Sequence, residues 1–63
     1  MTKLEKMYQE MITNLEEGMN DLEKFEEGNM SAGTRVRKTM QIIKTLAQQI
    51  RVEVQEQKNA VVA

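Results

Sequence analysis

The chain of 63 residues has no cysteine, no histidine and no proline, and its only aromatic residues are Tyr8 and Phe25. The lack of cysteine excludes disulfides, and the lack of both cysteine and histidine argues against a transition-metal site. A chain this short forms at most one domain, residues 1–63, whose small core needs additional stabilisation. Oligomerisation is the source of stability that remains.

Long apolar runs are also missing, and so is the basic-then-apolar layout of a signal peptide. We therefore expect a cytoplasmic protein. Without histidine, cysteine or a phosphate-binding glycine loop, the sequence predicts no enzyme, no cofactor and no small-molecule substrate. A helix lying on a membrane surface is a further alternative, which the acids alternating with the apolar residues disfavour.

What the chain does contain is typical of long amphipathic helices, with 40 % hydrophobic and 30 % charged residues. Thr2 and Glu5 have the spacing of a capping box, which predicts a first helix over about 2–27. Gly28 suits the left-handed residue after a helix, and Asn29 suits the N-cap of the next. We predict a turn at 28–29 and a second helix over about 30–58, with fraying expected from Asn59 to Ala63.

Apolar residues recur in both helices at alternating steps of four and three. The first seam comprises Leu4, Tyr8, Met11, Leu15, Gly18, Leu22 and Phe25, and the second comprises Val36, Met40, Ile43, Ala47, Ile50 and Val54. The short link makes the helices antiparallel neighbours, so the predicted fold is an all-α helical hairpin.

Both apolar stripes are wider than one partner helix needs. A lone hairpin would leave some flanking residues exposed, namely Ile12, Met19, Ile42 or Leu46. The simplest remedy is a homodimer in which two hairpins form a four-helix bundle. Its predicted core contains Leu15, Leu22, Met40, Ile43, Ala47 and Ile50.

Charge is unevenly divided along the chain. Residues 1–28 carry three cations and eight anions, whereas residues 29–63 carry six cations and two anions. Four of the cations are spaced by seven, which places them in one line on a helix: Arg37, Lys44, Arg51 and Lys58. Arg35 and Lys38 add charge near the start of the same helix.

Two interpretations of these cations remain open. They pair with the acidic first helix, across the hairpin or across a dimer, or they form a track for a phosphate backbone. In the second interpretation Arg35, Arg37, Lys38 and Lys44 are the main contacts, because Glu53 and Glu56 interrupt the far end of the track. The free N–H groups near Asn29, Ser31 and Thr34 would also favour an anion.

The stretch EEGNMSAGTRVRKT resembles a segment of the bacterial linker-histone-like family, the chlamydial-type DNA-condensing nucleoid proteins. The resemblance covers about residues 22–52, and the matching positions are Gly28, Asn29, Ala32, Gly33, Thr34, Arg35, Val36, Arg37 and Lys38. It implies nucleoid association and DNA compaction without strict sequence specificity.

One feature of that family is absent here. Its DNA-condensing members carry a long tail rich in lysine, alanine and proline, whereas Gln57 to Ala63 contains one lysine. The main hypothesis is thus a small histone-like protein that binds DNA through its basic second helix. The alternative is a coiled-coil oligomerisation module that binds no nucleic acid.

Overall fold

The computed structural model describes residues 1–62, and within them two α-helices form a hairpin. Helix α1 spans Lys3–Glu26 and helix α2 spans Met30–Val62. The all-helical fold is as predicted. Helix α2 continues to Val62, through most of the segment expected to fray, because no glycine or proline follows Gly33. Ala63, the last residue of that segment, lies outside the described part of the chain. Neither α1 nor α2 is long and apolar enough to cross a membrane.

Helix α1 begins with the predicted capping box. The Thr2 hydroxyl accepts a hydrogen bond from the Glu5 backbone N–H at 3.1 Å, and Glu5 Oε1 accepts one from the Thr2 N–H at 2.8 Å. Two of the N–H groups that the first turn leaves without helical partners are satisfied in this way. These hydrogen bonds hold the pKa of the Glu5 carboxyl below its usual 4.5.

The chain reverses direction in a Schellman turn at Gly28, whose φ is +106°. The Gly28 N–H donates to the Phe25 carbonyl at 2.9 Å, and the Asn29 N–H donates to the Lys24 carbonyl at 3.0 Å. Asn29 then caps α2, because its Oδ1 accepts from the Ala32 N–H at 3.2 Å. One three-residue link therefore satisfies groups at the end of one helix and at the start of the next.

Two ion pairs mark the antiparallel register. Lys3 Nζ lies 2.9 Å from Glu53 Oε1 at the open end, and Arg35 Nε lies 2.8 Å from Asp21 Oδ1 near the turn. The residue numbers of the two pairs have the same sum, as in-register antiparallel helices require. The hydrogen bond that Gln57 donates to Glu53, followed by the one from Lys3, lowers the pKa of the Glu53 carboxyl. The hydrogen bond to Glu53 raises the pKa of Lys3.

The helices approach closely because small residues line the contact. Ala32 is completely buried, and a Cβ on Gly33 would lie 2.7 Å from the Phe25 ring. A Cβ on Gly18 would lie 3.2 Å from Thr39 Cγ2, in line with the close approach expected at this glycine. Larger residues at these positions would push the helices apart.

The seam inside the hairpin differs from the predicted one. On α1 the half-buried positions include Met7, Asn14 and Asp21, whereas Tyr8, Leu15 and Leu22 remain largely exposed. Leu4, Met11 and Gly18 of the predicted seam are also half-buried, so only every second position has shifted, by one residue. Two of the three shifted positions are polar, which leaves the larger apolar side chains of α1 beside the contact and not in it.

A similar shift on α2 corrects one expectation. Leu46, which we expected a lone hairpin to leave exposed, is 6 % exposed and belongs to the seam with Ile50. Ile12, Met19 and Ile42 are exposed as expected. Only three apolar side chains are buried among the described residues, so the hairpin alone has a very small core.

Gly28→Ala should destabilise the hairpin by about 1–2 kcal/mol, because an L side chain is strained at this positive φ. No atom lies within 4 Å of the position a Cβ would take, so a collision would not contribute. Urea denaturation would measure the change, with Glu27→Ala as the control at the neighbouring exposed position. Equal stability of Gly28→Ala and wild type would contradict a left-handed turn here.

Acidification should destabilise the protein. A carboxyl whose folded-state pKa lies below 4.5 adds stability above that pH and loses it as the pH falls through the folded value. Melting temperatures at pH 7 and pH 3 should differ less in Glu53→Gln than in wild type. Glu17→Gln, which removes a carboxyl without a hydrogen bond in residues 1–62, should keep the wild-type difference. A Glu53→Gln difference as large as wild type's would refute the assignment.

Candidate nucleic-acid interface

Four cations form a line along α2, which we call the basic line: Arg37, Lys44, Arg51 and Lys58. A spacing of seven residues is two helical turns, so successive members lie roughly 10 Å apart. All four are exposed. The structure thus turns the basic line toward solvent, away from the α1 helix of its own chain.

The side of α2 directed away from α1, its outer edge, carries no acid within residues 30–62. Besides the basic line it presents Lys38 and neutral polar residues, among them Gln41, Gln48 and Gln55. Glu53 is half-buried against Lys3, and Glu56 is also close enough to Lys3 to raise its pKa. Glu53 and Glu56, which we expected to interrupt the basic track, therefore lie beside it and not on the outer edge.

Arg35 lies on a different side of α2 from Arg37, since two residues correspond to about 200° of helical rotation. Its guanidinium pairs with Asp21, which is 22 % exposed against 48 % for the arginine. The six predicted DNA-binding cations are therefore not one cluster. Five lie along the outer edge, and Arg35 lies beside α1.

Pairing within the hairpin involves few of these charges. In residues 1–62 the ion pairs are Lys3–Glu53 and Arg35–Asp21, and neither includes a member of the basic line. The acids of α1 lie mostly on the far side of that helix from α2, as do Glu16 and Glu23. Hence pairing across the hairpin does not account for the basic line, while pairing across a dimer stays open.

The start of α2 has fewer free backbone N–H groups for binding an anion than the sequence predicts. Of the N–H groups in its first turn, that of Ala32 donates to both the carbonyl and the side chain of Asn29. Ser31 and Thr34 are exposed beside it.

One face of the hairpin is an apolar groove between the two helices. It is formed by exposed or half-buried residues from both: Tyr8, Leu15, Leu22, Met40, Ala47 and Val54. Four cavities follow one another along it, and the one around Leu15, Val36 and Met40 has a volume of about 300 Å³. The basic line borders this groove, because Arg37, Arg51 and Lys58 each line one of these cavities.

The opposite face of the hairpin is polar. The cavity there is lined by Glu10, Gln41, Ile42, Thr45, Leu46 and Gln49. Ile42 is therefore separated from the other exposed apolar residues. Both aromatic residues lie on the groove side, as Tyr8 and Phe25 line cavities of the groove, so the outer edge has none on which bases could stack. Within residues 1–62 no cluster of side chains could hold a metal ion.

Of the predicted core residues, Leu15, Leu22, Met40 and Ala47 lie along the groove, whereas Ile43 and Ile50 lie mainly in the seam. Asp21 was not identified from the sequence as the partner of Arg35. The antiparallel register would have indicated it, since residues equally far from the turn lie opposite each other.

A helical hairpin with one cationic edge and one apolar face is the architecture of a small structural protein. The family model described as histone H1-like protein Hc1 matches residues 1–60 of the 63, and the chain belongs to this family. No curated protein and no solved structure matches the chain.

Membership confirms the resemblance seen over residues 22–52 and extends it over nearly the whole chain. The family consists of structural DNA-binding proteins of the nucleoid and not of enzymes, in agreement with the sequence prediction.

Proposed function

We propose that this protein binds DNA without sequence specificity, as a nucleoid-associated protein in the cytoplasm, through the outer edge of α2. The observation that carries the proposal is the uninterrupted positive charge of that edge, which presents five exposed cations and, within residues 30–62, no acid. Membership of a histone H1-like family supports it independently.

The outer edge of α2 is better suited to contacts with DNA phosphates than to contacts with the bases. Its cations, Arg37, Lys38, Lys44, Arg51 and Lys58, stand on a rigid helix, about 30 Å from first to last at 1.5 Å per residue. That length is close to one turn of B-DNA. Contacts to phosphates position a protein without reading sequence. Arg35 is a weaker contributor than the sequence predicts, because Asp21 occupies part of its guanidinium.

Self-association forms the second part of the proposal, with a homodimer built across the apolar groove. The chain exposes 5146 Å², whereas a compact monomer of its mass would expose about 4,200 Å². The excess is close to the roughly 800 Å² that each partner buries in a standard interface. A dimer would carry two basic edges, which supports a role in DNA compaction.

DNA affinity should fall linearly with the logarithm of salt concentration. Three or four phosphate contacts per subunit correspond to a slope of about −3 to −4. Lys38→Gln combined with Lys58→Gln should flatten the slope by about 1.8, because two contacts are lost. Fluorescence anisotropy titrations of two unrelated duplexes of equal length, between about 50 and 200 mM salt, would give the slopes and should give equal affinities.

The matched control is Lys6→Gln combined with Lys24→Gln, which removes the same charge from α1. If it flattens the slope as much as the α2 variant, net charge and not the outer edge governs binding. If wild type does not bind at about 50 mM salt and micromolar protein, the DNA proposal is wrong. A coiled-coil oligomerisation module would then be the better account, and the apolar groove is the observation that favours it.

The melting temperature of wild type should rise with protein concentration, because association is linked to folding. Met40→Glu should raise the dimer dissociation constant by roughly tenfold or more, since a carboxylate buried without a partner costs more than about 1.4 kcal/mol.

Ile42→Glu is the matched control, because Ile42 is 39 % exposed against 47 % for Met40 but lies on the polar face. Sedimentation velocity over a concentration series would compare the variants. A monomer of 7.3 kDa at every concentration would exclude self-association.

A further inference from the structure

We infer that the groove of one hairpin is covered by a second copy whose turn lies at the same end, so that each basic line meets the acidic α1 of the partner. The inference rests on the self-association proposed above and specifies its geometry. In this arrangement Arg37, Lys44 and Arg51 share their charge between the partner's acids and DNA, whereas Lys38 and Lys58 serve DNA alone.

The two rims of the groove carry opposite charge. On α2 the rim is the basic line, in which every member is a cation. On α1 the residues beyond the groove are Glu5, Ile12, Met19 and Glu26, and the next row outward includes Glu16 and Glu23. A two-fold axis parallel to the helices lays α1 of each copy over α2 of the other and brings these unlike rims together.

The axial positions of the charges agree with this arrangement. Gly18 lies level with Thr39, so the partner's Glu16 would lie about three residues, or roughly 4.5 Å, closer to the turn than Lys44. Side chains lean toward the N-terminus of their helix. In antiparallel helices Lys44 therefore leans toward the turn and Glu16 leans away from it, which brings their charged ends together.

The same relation holds one heptad away, where Arg37 faces the partner's Glu23. The aliphatic stems of the two cations would cover Met19 and Ile12, the exposed apolar residues level with them, while their charged ends reach the acids. At the open end Arg51 lies level with Glu5. Lys38 and Lys58 face no acid of the partner, so their substitution tests DNA binding independently of this arrangement.

The other two-fold packing is disfavoured by charge. An axis perpendicular to the helices would lay α1 over α1 and α2 over α2, with the turns at opposite ends. Each basic line would then face a basic line, and like charges brought together oppose association. The two packings also differ in what they offer DNA. With the axis parallel to the helices, the basic edges lie at diagonal corners of the bundle and point in opposite directions, so one dimer can contact two duplex segments.

Charge reversal tests the arrangement. One variant carries Glu16→Lys and Glu23→Lys, and the other carries Arg37→Glu and Lys44→Glu. Each variant alone should show a dimer dissociation constant raised by about tenfold or more, because both rims become repulsive. An equimolar mixture should recover affinity to within about threefold of wild type, since both rims of the mixed dimer pair unlike charges.

Sedimentation equilibrium and far-UV circular dichroism would follow both association and folding, and a variant that unfolds alone should regain helicity on mixing. Glu10→Lys combined with Glu17→Lys makes the same charge change away from the groove and should not weaken the dimer. A Glu16→Lys, Glu23→Lys variant that associates as tightly as wild type, or a mixture without recovery, would overturn the arrangement.

A spin label gives a second readout. The chain has no cysteine, so Ser31→Cys provides one site per copy near the turn. Labels at the same end of the bundle should lie about 25 Å apart, from helix spacings of 8–10 Å, whereas turns at opposite ends would separate them by about 40 Å. A longer distance would refute the arrangement while leaving self-association intact. A wild type that stays monomeric would refute both.

Discussion

The backbone turns at Gly28 with a positive φ, and the position of this turn fixes which residues of the two helices meet. Because the link holds only three residues, the register cannot slide by a helical turn without breaking the hydrogen bonds to Lys24 and Phe25. The ion pair of Lys3 with Glu53, far from the turn, depends on that register. So does the division of the molecule into an apolar groove, a polar face and a cationic edge.

The contact between the helices is narrow because it is built from small side chains. Ala32 and Gly33 let α2 approach Phe25, and Gly18 lets it approach Thr39. Close approach leaves little volume between the helices for large apolar residues, which remain on one face instead. The small core and the large exposed apolar face therefore both result from the close approach of the two helices. Together they make folding and association interdependent.

Much of the fold follows from local sequence signals. The capping box at Thr2, the left-handed Gly28 and the N-cap Asn29 were predicted because each is set by residues a few positions apart. The seam was predicted only in part: Leu4 and Met11 lie in it, but the hairpin turns Met7 and not Tyr8 toward α2. The basic line could be predicted from its seven-residue spacing. The direction of the Glu53 side chain could not, because it depends on Lys3, which lies far away in the sequence.

The antiparallel hairpin also orders the steps by which the chain can fold. Phe25 and Gly33 are separated by a short loop, whereas joining Lys3 to Glu53 closes nearly the whole chain, and the entropic cost of closure grows with loop length. We therefore expect contacts near the turn to form before those at the open end. Amide protons near Lys3 and Glu53 should consequently exchange with solvent through smaller openings than those of the residues that pack beside the turn.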